Sequence, residues 1–309
     1  MMKNRVLWMM LTVVCLAALL FAAAKAIKHQ NTQAQSLQTK PHEAVQAAKE
    51  IRPATIIAAE QRGDQIIVRG LGMPGASLGL FTGGKTIAGG RVNREGGWVM
   101  TADRLLEGET PQILDIVMRV KDKEVRSEQQ LIVMGLPPNE EVSEEVPSSE
   151  SLRPLLLLVA PGTSSRVLTS PYGTLPSRDG FELEAIDYDD SGGVIFSGHS
   201  KYPGKVQIYA GGTLVGESHV DQTGRWSLIF GNIMPVGEYD ITAELVRSDG
   251  QKTRLALLFQ RTKPDRKERV SEDQIVVKPQ EDRILVRRQL LGGGHQYTLI
   301  FSPEALIGE

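Results

Sequence analysis

Asp187-Tyr188-Asp189-Asp190-Ser191-Gly192 carries side-chain oxygens at the alternating spacing with which a calcium loop opens. Such a loop closes on a bidentate glutamate at its twelfth position, which here is Gly198. Acidic residues beside glycine also suit a β-turn between strands. Gly198-His199-Ser200 resembles the start of a nucleophile elbow, but Tyr202 stands where that motif needs glycine, and Pro203-Gly204 denies the helix that must follow. His199 and His219 are the only histidines of residues 152–262, and residues 53–134 have none. A catalytic triad or three-histidine metal site is therefore not available within either segment. These residues predict a chain that is not an enzyme, with no catalytic residue, cofactor or metal. Arg261 to Arg269 (R-T-K-P-D-R-K-E-R) reads as a solvated linker, or as a contact for anionic envelope polymer or lipid headgroups.

The segments around these residues repeat each other. Ile66 to Gly108 contains I-V-R-G, P-G-A-S-L-G-L-F-T-G-G-K-T-I and N-R-E-G-G-W; Val194 to Gly237 contains V-I-F-S-G, P-G-K-V-Q-I-Y-A-G-G-T-L-V and D-Q-T-G-R-W. The repeat is too long for a solenoid period, so it reads as a duplicated domain. Short alternating runs bounded by Gly63-Asp64, Pro74-Gly75 and Gly83-Gly84 predict antiparallel strands joined by tight turns, closed by strands at Ile113 to Val120 and Gln130 to Val133. In the second copy Val206, Ile208, Leu214 and Val215 are expected to face inward, with alternation again in Tyr239 to Leu245 and Leu255 to Phe259. Several such strands make a small β-sandwich. Trp98 and Trp226 occupy equivalent places and read as core side chains, with an exposed sugar-stacking platform as the alternative.

The 309 residues, 41% hydrophobic and 23% charged, suffice for two small domains and their linkers. A formal net charge of -2 argues against nucleic-acid binding, which calls for a basic face. Val6 to Ala24 has no charged residue and is long enough to cross a bilayer. Lys3 and Arg5 ahead of it favour a cytoplasmic N-terminus, although Lys25 and Lys28 follow. Ala22, Ala24 and Ala26 keep a cleavable signal peptide open. The expected location is the inner membrane, single-pass, with the bulk of the chain in the periplasm; the alternative is secretion to the periplasm after cleavage. Cys15 lies inside the apolar run and is the only cysteine, so disulfides cannot hold the exported domains.

The expected organisation is a transmembrane anchor or signal segment (1–28), a linker (29–52), a first sandwich (53–134), an acidic Pro/Ser linker (135–151), a second sandwich with an N-terminal hairpin (152–262), and a tail (263–309). The hairpin, Leu155 to Val159 with Arg166 to Leu168, is expected on the second domain's sheet, or else as a loop or partner-binding strand.

Ala185 to Gly198 (A-I-D-Y-D-D-S-G-G-V-I-F-S-G), followed by P-G-K-V-Q-I-Y, G-R-W-S-L and P-V-G-E-Y-D-I, resembles the bacterial Ig-like domains of envelope proteins that carry a C-terminal LysM module. In the tail, Gln274 to Pro279 is similar to that module's first strand, Arg283 to Gly292 to its first helix and Gln296 to Phe301 to its second. Gln280-Glu281 replaces the family's Gly-Asp turn, and the chain lacks the second strand. The resemblance implies a mainly β chain with two Ig-like antiparallel sandwiches after a transmembrane helix, and a partial α+β tail. It implies a membrane-tethered envelope protein that reaches peptidoglycan, with glycan contacts at Arg287, Arg288, Gly292, Gly293, His295 and Tyr297. The alternative is a periplasmic scaffold whose sandwiches bind a membrane or cell-wall protein through a strand edge, with a vestigial tail.

Overall fold

The computed structural model describes residues 51–106, 110–136, 153–231, 234–262, 275–290 and 293–307. The apolar segment of 1–28, the linker up to residue 50, residues 137–152, the basic run from Lys263 onward and Gly292 lie outside the described residues. Among those described, no helix is long and apolar enough to cross a membrane.

The first repeat forms β1 (Thr55–Arg62), β2 (Gln65–Leu71), β3 (Ser77–Thr82), β4 (Lys85–Arg91), β5 (Gly97–Asp103), β6 (Gln112–Val120) and β7 (Lys123–Leu136). Next come β8 (Arg153–Val159), β9 (Arg166–Thr169) and β10 (Ser177–Arg178). The second repeat forms β11 (Phe181–Asp189), β12 (Val194–Ser200), β13 (Gly204–Ala210), β14 (Thr213–His219), β15 (Arg225–Phe230), β16 (Gly237–Arg247) and β17 (Lys252–Arg261). The tail adds β18 (Ile275–Pro279), β19 (Arg283–Gln289) and β20 (His295–Phe301). All the ladders are antiparallel.

Each repeat is a seven-strand sandwich with the same strand order. In the first, β1-β2-β5 (sheet I) faces β4-β3-β6-β7 (sheet II); in the second, β15-β12-β11 (sheet III) faces β14-β13-β16-β17 (sheet IV). That is the Ig-like and fibronectin type III class of sandwich. The hairpin glycines are equivalent: Gly83 and Gly84 have φ of 52° and 75°, and Gly211 and Gly212 have 55° and 77°. Positive φ at both central positions is what a two-residue hairpin of this twist requires. Trp98 and Trp226 are buried, as expected. Each lies opposite a glycine, in the pairs Gly70↔Trp98 and Gly198↔Trp226. Their indole N–H groups donate to Leu71 O at 2.9 Å and Glu182 O at 3.2 Å. Val206 and Ile208 are buried, whereas Leu214, expected inside, is exposed on the edge strand β14.

Two additions to these sandwiches depart from the sequence expectations. The β8–β9 hairpin belongs to sheet II, not to the second sandwich: β8 pairs along the C-terminal half of β7 from Gln130↔Val159 to Leu136↔Arg153. The long β7 leaves an unpaired flank there, which β8 covers. The tail is not an α+β LysM-like module either. Its two expected helices are β19 and β20, which with β18 form a meander on the β11 edge of sheet III. Ile284, Val286 and Ile300 bury on one face of the meander, and Tyr297, Leu299 and Phe301 on the other. A strand buried on both faces reads as a continuous apolar run, which imitates a short helix.

These additions build a third core. Besides one core inside each sandwich, Ile132, Met134, Leu136, Leu155, Leu157 and Val159 of sheet II pack with Ile275, Ile284, Val286 and Ile300 of the extended sheet III. The neighbours Leu131, Val133, Leu156 and Leu158 point the other way, into the first sandwich. Sheet II is thus apolar on both faces at this end, and the two sandwiches are welded within one compact unit.

Candidate functional site

The resemblance-derived glycan contacts fall on β19, β20 and the turn between them. Arg287, Arg288 and Tyr297 are 6%, 8% and 4% exposed. Arg287 pairs with Tyr297, and Tyr297 with Tyr188, in a row across β19, β20 and β11 on the side of the second core. The two tyrosine rings stack, with centroids 4.8 Å apart and an interplanar angle of 9°. Burial, with the Asp190 carboxylate beside it, pushes the Tyr297 phenol up to about 12. Gly293 and Gly294, with φ of 94° and 84°, shape the β19–β20 turn, closed by Leu290 N donating to Gly294 O at 3.0 Å. His295 holds Asp190 twice, its backbone N–H donating to Oδ2 at 2.8 Å and Nδ1 lying 3.1 Å from the same oxygen. The structure therefore gathers Arg287, His295 and Tyr297 at one end of the second sandwich and sends Arg288 to the opposite face of the sheet. Of these, Arg287, Arg288 and Tyr297 present little surface to a polysaccharide.

The acidic run splits three ways. Asp189 Oδ1 caps its own turn, accepting from Ser191 Oγ at 2.6 Å, Gly192 N at 2.9 Å and Gly193 N at 3.0 Å. Asp190 faces His295, and Asp187 points to the opposite face of the sheet. Three acids with separate donors do not converge on a cation. Among the described residues no group of three His, Cys, Asp or Glu could hold a metal ion. Ser200, the residue an elbow would expose, is folded into its own loop: Oγ donates to Tyr202 O at 2.8 Å and accepts from Tyr202 N at 3.0 Å. A polar cleft of 260 Å³ lies where Ser164 of the β8–β9 loop meets β14, β15 and the loop between them, lined also by Ser218, His219, Asp221, Arg225, Trp226 and Ser227. Its charged groups are occupied, since Arg225 grips Glu184 with two hydrogen bonds of 3.0 and 2.9 Å, and Asp221 Oδ1 caps the loop through Thr223 and Arg225 N.

The densest polar constellation is one that sequence reasoning misses. Asp187 is 1% exposed, at the seam where β11, β20 and the loop before β9 meet. Its carboxylate accepts from Ser165 N (2.7 Å), Ser165 Oγ (2.6 Å), Thr298 Oγ1 (2.5 Å) and Gln296 Nε2 (3.2 Å). Arg288 donates through Nε and Nη2 to Gln296 Oε1 at 3.0 and 2.5 Å, which fixes which end of that amide faces Asp187. Desolvation by burial nevertheless pushes the Asp187 carboxyl above the usual carboxylate range and lowers Arg288, outweighing the donors. A signal for this cluster is present in the sequence: Asp187 is an acid set between Ile186 and Tyr188 in a strand with no exposed face.

No protein-family model matches the chain, and no curated protein matches it. Among solved structures it is similar to the Clostridium thermocellum CbhA fibronectin(III)-like modules, at 11% identity over 70% of this chain and 97% of that chain, with a TM-score of 0.20. The assignment to the sandwich class rests on the strand order alone.

Proposed function

We propose that this chain is a non-catalytic envelope scaffold, held in the inner membrane by its N-terminal apolar segment, with the welded double sandwich in the periplasm meeting a protein partner. The observation that carries this reading is the fate of the tail. A wall-binding module would need to stand apart with an open groove, whereas β18–β20 are spent as the extension of sheet III that joins the sandwiches. Supporting it, the hydrogen-bonded acids described above cap turns, join strands or pair with arginine, which are structural duties. On sheet I, Ile57, Leu71 and Val99 are exposed apolar side chains, one on each of its three strands, that a protein partner would cover.

The test combines alkaline extraction of membranes, cosedimentation of the detergent-solubilised chain with purified sacculi, and a photo-crosslinking residue at Val99 compared with one at Leu214. The expected outcome is retention in the membrane pellet, no sedimentation with sacculi, and a discrete adduct from Val99 alone. Sedimentation with sacculi would replace the scaffold reading with a wall anchor, and release into the soluble fraction would remove the tether.

A further inference from the structure

We propose that the polar cleft between the β8–β9 loop and β15 is a binding site for a small oxyanion, the chemistry that a carboxylate and a phosphate share. The first sandwich supplies an internal comparison. Its Gly90, Gly97 and Val99 stand at the ladder positions that Ser218, Arg225 and Ser227 hold in the second sandwich, and Ile57 bulges from β1 where Glu184 bulges from β11. Both copies keep the tryptophan, the glycine opposite it and the strand order. A sandwich of this order therefore folds with no polar side chain at any of these four places, and folding alone does not call for the set that the second copy carries.

The groups at the cleft divide into those that build its walls and those that are open. Arg225 gives both Nη groups to Glu184, and Asp221 Oδ1 accepts from Thr223 N, Thr223 Oγ1 and Arg225 N. Ser218 Oγ donates to Ser227 O at 2.6 Å, which ties β14 to the outer edge of β15. Among the described residues, the Ser164 and Ser227 hydroxyls and the His219 imidazole that line the cleft have no hydrogen-bond partner in the protein. Two residues on from Ser164, Arg166 is half-buried with one hydrogen bond, Nη2 to Ile57 O at 3.4 Å, and its buried Nε has no acceptor. Among the described residues no carboxylate is paired with it; Glu184 and Asp221 act on it only from farther away. Burial first, and then the like charge of Arg225, lowers this guanidinium below its ordinary value. A buried donor left without an acceptor is costly. An oxyanion in the cleft brings the acceptor oxygens and the negative charge that this side lacks, and guanidinium and hydroxyl donors are its ordinary partners.

Thermal unfolding of the full chain in mild detergent reads the site, because a ligand of the folded state raises the midpoint with its concentration. The titrants are sodium phosphate, sodium acetate and sodium chloride at matched ionic strength. Phosphate, acetate or both are expected to raise the wild-type midpoint saturably above the chloride control, and the stronger of the two identifies the source of the oxyanion. Arg166→Gln and, separately, Ser218→Gly combined with Ser227→Val are each expected to weaken the apparent affinity at least tenfold. The double variant carries the residues with which the first sandwich folds, so it decides the matter where Arg166→Gln fails to fold. The proposal is overturned if neither anion exceeds chloride in the wild type. It is overturned equally if the rise persists unchanged in the double variant, as general exclusion of salt from the protein surface would produce.

Discussion

Gly70 and Gly198 are held by the space above them. A Cβ built on Gly70 would lie 1.8 Å from Thr55 O and 2.3 Å from the Trp98 ring; on Gly198 it would lie 2.0 Å from Glu182 O and 2.7 Å from the Trp226 ring. The obstruction in each case is backbone plus a locked indole, so relief requires strand movement. Gly70→Ala and Gly198→Ala should each cost about 1–3 kcal/mol or more in urea denaturation. Gly89→Ala, whose Cβ would meet nothing closer than 3.8 Å, should be close to neutral. Asp187 supplies a prediction of another kind. Its folded pKa is raised above the ordinary 3.8 by desolvation. The folded chain therefore binds this proton more readily than the unfolded chain does. The stabilisation from that proton is full below 3.8 and is lost as pH rises through the folded value. Arg288 is the charged side chain that faces it across Gln296. The stability of the wild type relative to Asp187→Asn should accordingly grow as pH falls from about 7 towards 4. A difference that stays flat over this range, measured by denaturant titration, would contradict the buried-carboxylate account.

At the scale of elements, the tail decides how the chain is understood. Ending the chain at Lys267 removes Ile275, Ile284, Val286 and Ile300 and uncovers Leu155, Leu157 and Val159 on sheet II. Such a truncated chain should keep its sandwich β-signal yet bind a hydrophobic dye and scatter light, whereas removal of an independent module would leave solubility unchanged. The two seven-strand sandwiches are legible in the sequence because one face of most of their strands is wet, so apolar and polar residues alternate and the turns carry Gly, Asn and Asp at fixed places. The tail is not, because β19 and β20 bury both faces and their alternation disappears. The hairpin carries a readable signal: Leu155 to Val159 is five apolar residues in succession, the pattern of a strand covered on two sides. What it cannot convey is which sheet covers it. The polar seam is the least legible part, since Ser165, Asp187, Gln296 and Thr298 meet across separations of 22 to 133 residues.

For the whole molecule, the consequence of the third core is coupling. Two sandwiches joined by a solvated linker would unfold independently, but here sheet II contributes side chains to two cores at once, alternating along β8. Leu156 and Leu157 are adjacent, alike in chemistry and both fully buried, yet they serve different cores: the first sandwich for one and the weld for the other. Replacing either by alanine should cost about 2–5 kcal/mol, because each leaves a cavity of the same kind. The thermal profiles should differ even so. The wild type is expected to give a single calorimetric transition. Leu156→Ala should lower it without splitting it, since the weld that couples the sandwiches is untouched. Leu157→Ala should separate it into two, because the energy removed is the energy that made the second sandwich wait for the first. Identical profiles for the two variants would mean that the sandwiches communicate by another route, such as the Asp187 seam, and Thr298→Val would then be the variant that splits the transition.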